Sequence, residues 1–104
     1  MEYIKLMPDY GCFPLWHHQS QEVGEINPES LGLSPDLCER LACWQNEYDQ
    51  TLNASDPVIS GFGSKEMEVK FVVKGYELAL ALKKELNGTQ VVYFDVDQQR
   101  VRNV

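Results

Sequence analysis

Apolar residues between Ser64 and Gly88 recur at Met67, Phe71, Gly75, Leu78, Leu82 and Leu86. Steps of three and four put all six on one face of a helix. Val72, Tyr76, Ala79 and Leu80 widen that face, which predicts a helix covered on more than one side. Ser64 supplies an N-cap, with Glu66 and Glu68 near the positive end of the dipole and Lys83 and Lys84 near the negative end. Asn87-Gly88 supplies a left-handed stop. The β-branched residues from Val69 to Val73 also suit a strand, so the first third of the helix has a competing assignment.

A second helical pattern runs from Ser34 to Asn53. Ser34 caps it, Pro35 suits the first helical position, and Leu37, Leu41, Trp44, Tyr48 and Leu52 step by three and four. Asn27-Pro28 starts a single turn that Gly32 stops. Residues 53–63 read as a loop pinned by Val58, Ile59 and Phe62. Alternation predicts a first strand over Glu2–Met7 and a late strand over Gln90–Asp97, with a short last strand after it. Cys12–Trp16 is a short strand or an ordered loop, and Ile26 anchors the return of the polar tract His17–Gly24. The expected architecture is α+β: two long antiparallel helices packed on a small antiparallel sheet. Ile4, Leu6, Val92, Phe94 and Val96 are expected to face the helices, leaving Tyr93, Asp95 and Asp97 on a solvated sheet face.

Composition adds bounds. With 104 residues the chain is expected to form a single domain, 1–104. No apolar run approaches a membrane span, and the N-terminus has no secretory pattern, which predicts a cytoplasmic protein. Three cysteines without a CxxC pair fit reduced thiols. The net charge of −7 argues against nucleic-acid binding and favours solubility or steering toward a basic protein.

Candidate chemistry is sparse. Cys12 lies near His17 and His18, but adjacent histidines on an extended segment point apart, and no fourth ligand completes a metal site. Cys38 and Cys43 lie too far around a helix to bridge and are expected to pack. No phosphate loop, Ser/His/Asp set or HExxH is present, so no catalytic residue, metal or cofactor is predicted. Tyr10, Phe13 and Trp16 are core lids or interface anchors. The expected partner-binding set is Asp9, Tyr10, Trp16, Glu22, Glu25, Asp95 and Asp97. Three classes stay open on the residues alone: a binding protein, a small cytosolic enzyme using Asp95, Asp97 or Cys12, and a self-assembling housekeeping protein.

The blocks DYGCFPLW, INPESLGLS and LACWQNEYDQTLN, followed by DPVISGF and SKEMEV, resemble a group of small bacterial proteins. That group is similar to the immunity proteins of contact-dependent or polymorphic toxin systems. The resemblance spans about residues 3 to 95. It implies a cytoplasmic protein that binds and neutralises a cognate toxin domain, a basic nuclease, by covering its active site. The shared blocks assign no functional residue, so none is carried over.

Overall fold

The structure, a computed structural model, describes residues 3–52 and 61–104. Among the described residues, five strands form a mixed sheet of order β3-β2-β1-β4-β5, with two helices packed on one side. The strands are β1 (Tyr3–Leu6), β2 (Leu15–His18), β3 (Glu25–Ile26), β4 (Gln90–Asp95) and β5 (Arg100–Asn103). The helices are α1 (Pro35–Asp49) and α2 (Lys65–Glu85), preceded by a 3-10 turn at Pro28–Leu31.

The local start signals act as expected. The side chains of Ser34 and Ser64 accept the N–H groups of Leu37 and Met67, each three residues on. Asn27 caps the 3-10 turn, and Gly32 ends it with φ of 71°. Ser34 also donates its backbone N–H and hydroxyl to Glu85, both at 2.7 Å, which fastens the start of α1 to the end of α2. The helices are therefore antiparallel. α1 stops at Asp49, short of the expected Asn53, and Leu52 is exposed. Thr51 Oγ1 bonds the Tyr48 carbonyl at 2.7 Å and competes for an acceptor that another helical turn would need.

The core joins Leu37, Leu41 and Trp44 of α1 and Phe71, Leu78 and Leu82 of α2 to Ile4, Leu6 and Leu15 of the sheet. Trp44 stacks on Phe71 at 4.5 Å, and its indole N–H donates to the Phe71 carbonyl at 3.0 Å. Tyr93 Oη donates to the neighbouring Val72 carbonyl at 2.9 Å. Both buried aromatics thus satisfy their polar atom on α2.

Three expectations are corrected. The sheet is mixed: β1 and β4, its central pair, are parallel. Glu85 ties the start of α1 to the end of α2, while Asp49 at the other end of α1 bonds Gly11, just beyond β1. The passage Asn27–Leu33 therefore carries the chain back across the sheet before α1 begins, one reversal more than helix counting supplies. The face of β4 is also inverted. Val91 and Tyr93 pack in the core opposite Ile4 and Leu6, and Asp95 is 3% exposed, while Val92 and Phe94 lie on the other face. One residue of phase exchanges the two faces of a strand. Gly75 supplies the physical reason, because its missing side chain is the space that Tyr93 fills. Finally, α2 is covered on one side. Val72 and Ala79 pack inward, whereas Val69, Val73, Tyr76 and Leu80 are exposed, as is Met67. Of the loop predicted over residues 53–63, Val58 and Ile59 lie outside the described residues, while Phe62 packs on Phe71 at 5.0 Å.

Candidate partner interface

The parallel register decides which residues share an end of the molecule. Leu6 pairs with Tyr93, so the segments after β1 and β4 emerge at the same end of the sheet. Asp9 and Tyr10 lie on the first segment, and Asp95 and Asp97 on or just after the second strand. α1 also finishes there: Asp49 Oδ1 accepts the Gly11 N–H at 3.1 Å and the Gln45 side-chain amide at 2.9 Å. Glu25 reaches the same loop, its Oε2 accepting the Phe13 N–H at 2.9 Å. Five of the seven expected partner residues therefore belong to one end.

Each of the five stands differently there. Asp9 is exposed, and its carbonyl accepts from Gln45 at 2.7 Å. Tyr10 is a lid: its ring stacks on Tyr48 at 4.6 Å, and its hydroxyl meets Thr51 Oγ1 at 2.7 Å. Burial, then the nearby Tyr10 and Asp9, pushes the Tyr48 phenol up from its ordinary value. Asp95 is not the solvated carboxylate expected. Its Oδ1 accepts the N–H groups of Asp97 and Gln98, and Oδ2 lies 3.6 Å from Arg102. It shapes the β4–β5 turn. Asp97 pairs with Lys65, which also meets Glu68 at 3.2 Å, and the lysine holds the Asp97 carboxyl below its ordinary range.

The other two are set apart, Trp16 by its face of the sheet and Glu22 by its end. Trp16 is on the sheet face away from the helices, paired with Lys5 and Glu25, its indole N–H donating to the Met7 carbonyl at 2.8 Å. Glu22 is in the β2–β3 connection at the opposite end, 3.5 Å from His17. His17 and His18 do point apart, His18 packing edge-on against Tyr3.

Sequence reasoning missed Asp49. A carboxylate in the last turn of a helix opposes the dipole, which is the signal that it has other partners. It also missed a groove of about 330 Å³ beside the acidic end, bordered by Phe13, Pro14, Glu29, Ala42, Gln45 and Asp49. Gln45 is 6% exposed, and its Oε1 has no hydrogen-bond partner among the described residues. Cys12 also borders the groove. Hydrogen bonding to Glu25 and then burial raise its thiol above the ordinary value, and Asp9 and Asp49 add to the rise. A nucleophilic thiol needs the reverse, a lowered value beside cationic groups. Cys38 is partly buried, while Cys43 is exposed rather than packed. Among the described residues, no three His, Cys, Asp or Glu side chains converge as metal ligands, and no helix is long and apolar enough to cross a membrane.

The fold is a small α+β one that gathers carboxylates at one end, with Cys12 beside them. Residues 2–96 match the family described as Serratia CdiI immunity protein-like, and the chain belongs to that family. It is thus of the immunity-protein class of bacterial contact-dependent inhibition. No curated protein matches it.

Proposed function

We propose that this chain binds a cognate toxin domain in the bacterial cytoplasm and neutralises it by setting its acidic end over the toxin's active site. The observation that carries this is the convergence of Asp9, Glu25, Asp49 and Asp97 at one end of a chain of net charge −7. The toxin is a basic nuclease. Such an enzyme presents Lys, Arg or His to phosphates, and carboxylates in those positions occupy them by charge. The adjacent groove has Phe13, Pro14 and Ala42 beside Glu29 and Asp49, which suits the apolar stem and charged head of an inserted Lys or Arg. Tyr10, already held by Tyr48 and Thr51, offers an aromatic surface that loses little freedom on binding.

The test is co-expression with the adjacent toxin gene, co-purification and a growth-protection assay. Protection together with a stable complex is expected. A neighbouring gene that encodes no toxin, or a complex that leaves the toxin's nuclease activity intact, overturns the proposal.

A further inference from the structure

The outer side of α2 carries four exposed apolar residues: Val69 (43% exposed), Val73 (52%), Tyr76 (38%) and Leu80 (47%). Their spacing is four, three and four, the a/d alternation of a two-heptad seam. At 3.6 residues per turn they fall within an arc of about 60°. They lie across the helix from Phe71, Gly75, Leu78 and Leu82, which are buried in the core. The opposite side holds α2 to the core, and of the seam residues Tyr76 also meets the core ring of Tyr93 edge-on, at 6.3 Å.

We propose that this seam is the interface between two copies of the chain, packed through antiparallel α2 helices. The charges choose the occupant. α2 carries five lysines against four glutamates, a net +1 in a chain of net −7. A basic partner is drawn to the acidic end and not here, whereas two copies of this acidic chain can meet along α2 without setting their acidic ends together. The order of charge along the helix is also self-complementary. Glu66 and Glu68 occupy the first turn and Lys83 and Lys84 the last, with Lys70 and Glu77 between them beside the seam.

An antiparallel twofold centred between Val73 and Tyr76 sets Val69 opposite Leu80 of the other copy and Val73 opposite Tyr76. The same twofold brings Glu66 toward Lys83 and Lys84, and Lys70 toward Glu77. Every contact occurs twice, as an isologous interface requires. A parallel pair would set like charges side by side. Within one copy Lys70 pairs with Glu66 at 3.4 Å across a wholly exposed surface, a weak contact that leaves both ends free to exchange partners. α2 begins at the acidic end, where Lys65 meets Asp97. Antiparallel packing therefore points the two acidic ends away from each other, and each copy keeps its own end open.

The experiment is sedimentation velocity of the full chain over a concentration series. The wild type is expected to pass from monomer to dimer. Val73→Glu and Leu80→Glu, both at exposed positions, are expected to raise the dimer Kd at least about tenfold, with unchanged circular dichroism and, at concentrations where the wild type is monomeric, an unchanged melting temperature. Lys70→Glu alone is expected to weaken the dimer, and adding Glu77→Lys to the same chain to restore it. A wild type that stays monomeric at every concentration overturns the proposal, as does a seam variant that dimerises undiminished or a charge exchange that restores nothing. Loss of toxin binding by Val73→Glu in a chain that was never dimeric would assign the seam to the toxin instead.

Discussion

Gly75 lies directly over the ring of Tyr93. A methyl group in place of its hydrogen would stand 2.7 Å from Cζ of that ring and 2.6 Å from Cζ2 of Trp44. Neither aromatic can retreat freely, since each is fully buried and bonded to a carbonyl of α2. Gly75→Ala should therefore destabilise the protein by about 1–3 kcal/mol, the usual cost of overpacking, although alanine returns up to about 1 kcal/mol of helix propensity. Urea denaturation measures the balance. A stabilised Gly75→Ala variant would show that this approach is looser than described.

Leu41 and Leu82 are each 0% exposed and belong to the same core. Leu41→Ala and Leu82→Ala should each cost about 2–5 kcal/mol, with a cavity left behind. Leu80→Ala, about two and a half turns from Phe71 and on the exposed side, should cost less than about 1 kcal/mol in a monomer. Equal losses at Leu80 and Leu82 would contradict the assignment of faces.

Acid should loosen the clasp between the helices. The Ser34 backbone N–H and hydroxyl hold the Glu85 carboxyl below its ordinary value of 4.5. The folded protein therefore binds this proton less readily than the unfolded chain, so the contribution is complete above that value and disappears as pH falls through the lowered one. Asp97, lowered by Lys65, acts with the same sign. Melting temperatures from pH 7 to pH 3 should fall less steeply for Glu85→Gln than for wild type. Identical slopes would remove Glu85 from the account.

Binding should distinguish the two ends of the sheet. Asp9→Asn and Glu25→Gln are expected to slow association with the toxin and flatten its salt dependence, while Glu22→Gln at the far end leaves both unchanged. Should either carboxylate become desolvated in the complex, its loss would cost about 2–5 kcal/mol, chiefly in dissociation. Surface plasmon resonance at two salt concentrations separates these effects. A dominant loss at Glu22 would relocate the interface.

Capping was legible because it is local chemistry: Ser34 and Ser64 act within three residues of themselves. The phase of β4 was not. Val91, Val92, Tyr93 and Phe94 are all apolar, so alternation offers two equal answers, and the choice rests on a vacancy at Gly75, more than a dozen residues away. The direction of β4 was hidden for a related reason, because Asn27–Leu33 looks like a turn and serves as a crossing. The acidic character of the candidate site was visible in Asp9, Glu25 and Asp97. Their common location was not, since it follows from the parallel register, and Asp49 enters only through its bonds to Gly11 and Gln45.

The parallel pairing of Tyr3–Leu6 with Gln90–Asp95 joins two segments far apart in sequence within the sheet. During synthesis the first strand has one finished neighbour, Leu15–His18, and an open edge on its other side until Gln90–Asp95 has been made. Long-range closure of this kind is slow, and it comes last. The acidic end, which β1 and β4 jointly position, therefore forms only after Gln90–Asp95 has been made and paired. A growing chain that has not yet released Gln90–Asp95 lacks the strand that sets Asp97 at the same end as Asp9.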